Sequence, residues 1–214
     1  MRVFVALDIP ENVRVAIGAL IVKLRPACEN ILAGSKRSPH PYARWVRIEG
    51  VHLTLKFIGE VQPEKIEPIK TSLAKIRFPN PTGAGSAWSP PKCIELNFRN
   101  VRFFPNDRRP RVFWAGIEAG KDLGALAAAV ETSLEPLGIA RELRAFSPHL
   151  TLARFESPEG SALNRLREAI SAIGALEFGS GIAKEFHLYQ SILKPGGAEY
   201  TRLATFSFAR GESH

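Results

Sequence analysis

Two histidines in matching settings carry the chemistry this chain could do. His52-Leu53-Thr54-Leu55 recurs as His149-Leu150-Thr151-Leu152, 97 residues further on. Polar and apolar residues alternate in both copies, the period of a half-buried β-strand. His52 and Thr54 then share one face, as do His149 and Thr151, while the leucines sink into a core behind them. Two such strands facing each other put two imidazoles and two hydroxyls into one cleft. An imidazole titrates near pH 6.5, so one neutral and one protonated ring can coexist near neutrality. That is an acid and base pair beside hydrogen-bond donors for an anion.

Breaking a phosphodiester with water needs a base for the water, an acid for the departing oxygen and donors for the phosphoryl oxygens. The histidines supply the first two, and Thr54 and Thr151 can donate to the oxygens. Arg154 lies five residues past His149. Along a regular strand this odd offset turns it to the other face, and a bend would bring it to the phosphate. His40, His187 and His214 lack a threonine two residues on and read as surface or structural. Trp45, Phe57 and Phe104 could stack a base, although core packing is the commoner role of such residues. No His-x-x-x-His, cysteine pair or carboxylate cluster has metal-ligand spacing. No glycine-rich phosphate loop followed by lysine is present either, so the expectation is chemistry with neither metal nor cofactor.

The elements that must position these residues also come twice. Val3 to Leu7 reads as a strand, and a helix carries Val13, Ala16, Ile17, Leu20 and Leu24 until Pro26 ends it. Trp45, Val46 and Val51 lead into the first His-x-Thr strand, which runs to Gly59. A second helix bears Ile66, Ile69, Leu73 and Ile76. Ile94, Leu96, Phe98, Val101 and Phe103 mark a strand, and residues 105–110 a charged turn. Arg111-Val112-Phe113-Trp114-Ala115 then echoes Arg2-Val3-Phe4-Val5-Ala6 at an offset of 109. Leu123, Leu126, Val130, Leu134 and Leu137 form a helical stripe before the second His-x-Thr strand. Leu163, Leu166, Ile170 and Ile173 repeat the second helix at the same 97-residue offset as the histidines. Strands over Phe186–Ile192 and Tyr200–Phe208, joined at Pro195-Gly196-Gly197, close the chain. The basic stretch 27–41 accounts for the extra residues of the first repeat. The reading is a single bilobed α+β domain over 1–214, with repeats of about 1–105 and 110–214, antiparallel sheets with helices and a cleft between pseudo-symmetric lobes. Two tandem independent domains are the alternative.

The bulk numbers set the class of partner. With 214 residues, a net charge of +8 and a sequence pI near 9.8, the chain favours an anion such as nucleic acid or a phosphorylated metabolite. No run approaches the ~20 apolar residues of a membrane span. The amino terminus reads as a strand, and Cys28 and Cys93 read as thiols of a reducing cytoplasm.

The two His-x-Thr motifs resemble those of the two-histidine (2H) phosphoesterases, within which the chain is similar to the bacterial and archaeal RNA 2′,3′-cyclic phosphodiesterases, historically called 2′-5′ RNA ligases. Arg2 to Leu7, His52 to Gly59, Pro148 to Arg154 and the pattern from Ser191 to Tyr200 carry the match over nearly the whole chain. The extended 27–41 loop departs from it and bears on substrate length. The resemblance implies metal-independent opening of a terminal 2′,3′-cyclic phosphate to a 2′-phosphomonoester. It also implies His52 as the proton donor, His149 as the proton acceptor, and 2′-5′ ligation as the reverse reaction. Thr54, Thr151 and Arg154 would hold the phosphate of an RNA end, in a monomer. Small cyclic nucleotides or 2′-5′ oligonucleotides are alternative substrates, and a non-catalytic RNA or nucleotide binder is the alternative of another class.

Overall fold

A computed structural model describes residues 1–28, 43–76, 93–156, 161–194 and 197–208. In chain order these form β1 (Arg2–Leu7), α1 (Glu11–Cys28), β2 (Ala43–Trp45), β3 (Leu53–Glu60), α2 (Ile66–Ala74), β4 (Ile94–Phe104), β5 (Val112–Ala119), α3 (Lys121–Leu134), β6 (His149–Phe155), α4 (Ser161–Ile173), β7 (Glu177–Ala183), β8 (Glu185–Lys194) and β9 (Gly197–Ser207). The basic loop beyond Cys28, His40, the Gly/Pro-rich stretch over 79–91, the Pro195-Gly196 turn and His214 lie outside the described residues.

Two antiparallel sheets make this an α+β fold. One has the order β3-β1-β8-β9, the other β2-β6-β5-β4-β7. The inner strands are apolar: Val3 to Leu7 are all buried on β1, while Phe113, Ala115 and Ile117 are the buried alternate residues of β5. The sheets do not divide the sequence in two. β4, from the first repeat, pairs with β5 and β7, while β8 and β9, from the end of the chain, extend the sheet of β1. Helices cross as well: α1 packs on β7 and α4, and α3 packs on β3 and α2.

Four elements differ from the sequence reading. α1 continues past Pro26 to Cys28, whose buried side chain draws the last turn onto the core. Residues 43–45 are no lead-in to β3 but a separate strand on the edge of the other sheet, pairing Trp45 with Ala153 on β6. β7 gave no apolar alternation because two of its residues are glycines under the start of α1. A Cβ on Gly181 would lie 2.0 Å from Pro10 Cγ, and Gly179 has φ +108°. Along β4 the buried positions change parity after Phe98, because Asn100, at φ 57°, bulges out of the pairing with β5.

One ion pair ties β3 to the helix above it. Lys56 is 6 % exposed, and its Nζ donates to Glu131 Oε2 on α3 and to the Ala140 carbonyl, each at 2.7 Å. The same Glu131 oxygen accepts the Glu142 backbone N–H at 3.3 Å. Glu131→Ala leaves a buried ammonium with one partner and is expected to cost about 3 kcal/mol. Thermal unfolding checks this, and an unchanged Tm would show that Lys56 finds water instead.

Candidate active site

The two strands that carry the His-x-Thr motifs, β3 and β6, touch where the sheets meet. Leu53, Leu55, Leu150 and Leu152 are buried beneath them, which leaves His52, Thr54, His149 and Thr151 half-buried on the opposite faces. Both imidazoles are held alike. His52 Nδ1 lies 2.7 Å from the Gly50 carbonyl, and His149 Nδ1 lies 2.8 Å from the Ser147 carbonyl. A carbonyl has no proton to give, so each Nδ1 carries the hydrogen and donates it. Each Nε2 is left to accept a proton when the ring is neutral, or to donate one when it is charged.

The rings differ in their surroundings. His52 stacks on Phe4 at 4.6 Å and meets the edge of Tyr200 at 5.1 Å, whereas His149 has Trp114 at 5.6 Å. Burial in this aromatic box pushes the His52 pKa below the ordinary histidine value, and the nearby His149 adds to the push. The bond to Gly50 and the carboxylate of Asp8 act against it.

Arg154 reaches this face through a β-bulge. Thr151 pairs with Trp114 and Ala153 with Phe113, so Leu152 is an extra residue. The extra residue reverses the parity, and Arg154, opposite Val112, joins His149 and Thr151 on the cleft side. It extends far enough toward the other sheet for its charge to oppose the rise that burial causes in the Tyr200 pKa. The first copy repeats the device: Leu55 is extra between Thr54, opposite Ala6, and Lys56, opposite Val5. There the position equivalent to Arg154 is Phe57, which is 52 % exposed with the Arg2 guanidinium 4.9 Å from its ring centre. Trp45 packs edge-on to the buried Phe113 at 6.0 Å, as a core residue, and Phe104 is half exposed at the end of β4.

The pairings also correct the repeat. Ala6 and Trp114 face the equivalent threonines, an offset of 108 and not 109. The one-residue difference exchanges the faces, so Phe4 stacks on the His52 side while its sequence echo Phe113 is core.

Motif spacing gave no sign of a polar cluster beside His52. A cavity of about 220 Å³ is lined by Asp8, Gly50, His52, Tyr189, Tyr200 and Arg202. Tyr189 Oη donates to Asp8 Oδ1 at 2.6 Å, and Arg202 Nη2 to Asp8 Oδ2 at 2.5 Å. Burial and that bond push the Tyr189 pKa up to about 12, so it stays a donor. His187, read from sequence as surface or structural, is 1 % exposed and bonds Thr205. Among the described residues, no group of three or more His, Cys, Asp or Glu could hold a metal ion, and no helix is long and apolar enough to cross a membrane.

The profile of the 2′-5′ RNA ligase superfamily matches residues 16–191. An RNA 2′,3′-cyclic phosphodiesterase of Archaeoglobus fulgidus is 30 % identical over 206 residues, covering 96 % of this chain and 99 % of that one. The crystal structure of TT0787 from Thermus thermophilus is 29 % identical, covers both chains fully and superposes with a TM-score of 0.70. E. coli LigT complexed with 3′-AMP is 25 % identical, covers 96 % of this chain and 97 % of that one, and gives a TM-score of 0.69. With its paired histidines on touching strands and this match along most of its length, the chain belongs to the 2′-5′ RNA ligase superfamily.

Proposed function

We propose that this protein is an RNA 2′,3′-cyclic phosphodiesterase that opens a terminal cyclic phosphate to a 2′-phosphomonoester. The observation that carries it is the matched pair of imidazoles, each with Nδ1 tied to a carbonyl two residues back and Nε2 left for proton transfer. His149 Nε2 takes a proton from water as the water oxygen bonds to phosphorus. The bond from phosphorus to the 3′ oxygen breaks, and His52 Nε2 gives that oxygen its proton. Thr54, Thr151 and Arg154 hold the phosphoryl oxygens, Arg154 carried to the cleft face by its bulge. Exchange with solvent then resets the two rings. With a 5′ hydroxyl attacking in place of water, the same steps form its bond to phosphorus as the bond to the 3′ oxygen breaks, and join the two ends as a 2′-5′ linkage. Phe57, exposed under Arg2, offers a ring for a nearby base.

The names of the relatives support an RNA end over a small cyclic nucleotide. We read the protein as a cytoplasmic monomer acting over its whole length as one bilobed unit, with neither metal nor cofactor. The test is an oligoribonucleotide ending in 2′,3′-cyclic phosphate, assayed beside small cyclic nucleotides, with and without EDTA. The expected product is the 2′-phosphate, formed at the same rate in EDTA. A 3′-phosphate product would reverse the assignment of the leaving oxygen, and loss of rate in EDTA would overturn the metal-free mechanism.

A further inference from the structure

The two histidines are alike in motif, strand and backbone bond, so something outside the motif must assign their roles. Leu7 pairs with Leu53, and one step further along β1 brings Asp8 opposite His52. In the other lobe Ala115 pairs with Leu150, and the next step brings Gly116 opposite His149. Asp8 and Gly116 are therefore equivalent positions, with a carboxylate in one lobe and no side chain in the other. Gly116 could not carry one, since a Cβ there would lie 2.7 Å from the Arg99 carbonyl oxygen. The asymmetry is fixed in the backbone.

Asp8 is also held in place. Tyr189 and Arg202 grip one oxygen each, and His187 Nε2 stands 3.5 Å from Oδ2. We propose that Asp8 is the positioning residue that makes His52, and not His149, the proton donor, by offsetting the burial that works against the charged imidazolium. This rests on the reading that the two histidines act as acid and base. Other charged or titratable groups face the same space. Arg14 and Glu49 line the cavity, and Arg14 bonds Glu11 and the Ile48 and Glu49 carbonyls. Tyr200, Arg202, His149, Arg2 and Arg154 belong to the same surroundings, and Glu185 stands 3.7 Å from His187 Nε2. Burial pushes the His187 pKa down, against the pull of the Asp8 and Glu185 carboxylates. Of the side-chain charges acting on His52, Asp8 raises its proton affinity and His149 lowers it.

Asp8→Asn keeps the shape and one acceptor oxygen, and leaves the Arg202 charge unopposed, which works in the same direction. His52 should then hold its proton less tightly. Activity requires His52 charged and His149 neutral. Above both pKa values the active fraction falls with the His52 pKa; below both it depends on His149 alone. The wild-type kcat/KM should be bell-shaped in pH. The variant should lose about threefold to tenfold at pH 9 with no change at pH 5, while Asp8→Glu restores part of the loss. An NMR titration of the His52 ring in both proteins should move in step. A rise at pH 5 with pH 9 unchanged would make His52 the base and overturn the proposal. An equal fall at all pH values, or an unmoved His52 titration, would overturn it too. A wild-type profile with no bell would instead sink the acid and base reading itself.

Discussion

Alanine in place of His52 or His149 is expected to lower kcat about 10²–10⁴-fold in each case, the usual contribution of a positioned acid or base. The fold should survive, because both rings are half-buried over the cleft and neither belongs to the continuous apolar core. Circular dichroism and thermal unfolding would confirm that the variants are folded. The double variant should fall little below the slower single one, since acid and base serve one step and their effects do not add. Turnover near the wild-type rate in either single variant would sink the two-histidine mechanism. Activity without His149 alone would leave water activation to some other group in the cleft.

Arg154→Ala should lower kcat/KM about 10–100-fold, a cost scaled down from that of losing a buried oxyanion donor because this arginine is exposed. The effect follows from one extra residue at Leu152. Along an unbroken strand Arg154 would turn away from His149 and its loss would be near neutral. Lysine at 154 should recover part of the activity, as a charge without the planar fork. Steady-state kinetics on the cyclic-phosphate oligonucleotide measures both, and wild-type kinetics for the alanine variant would remove Arg154 from the phosphate site.

The contrast between Arg154 and its motif shows what sequence can and cannot convey. Alternation placed His52, Thr54, His149 and Thr151 on the right faces because a four-residue strand pattern is local. The helices were legible too, since Ile66, Ile69, Leu73 and their partners Leu163 and Leu166 bury one stripe each. Bulges are not written in local hydropathy. Leu55 with Lys56, and Leu152 with Ala153, are consecutive buried pairs that make sense only once β1 and β5 are laid beside them. The same limit explains the slip in matching Phe4 to Phe113, where similar letters stood one residue out of structural register. Asp8 escaped notice because its meaning lies in pairing with distant residues: Tyr189 and Arg202 come from strands at the far end of the chain. β7 was missed because its glycines answer to Pro10 and Asn12 on another element.

The exchange of strands between the two sheets has a consequence for how the chain comes into being. The sheet that bears His52 is completed only by β8 and β9, over residues 185–207. On the ribosome, β1 and β3 must wait with one open edge until nearly all of the chain has emerged, exposing apolar Val3, Val5 and Leu53 meanwhile. Pairings of such long sequence separation fold slowly and leave unpaired edges open to aggregation. A nascent chain halted near residue 110 should therefore be captured by chaperones and not hold half a site. The surroundings of His52 are completed last, when Tyr189 and Arg202 arrive to clamp Asp8 beside it.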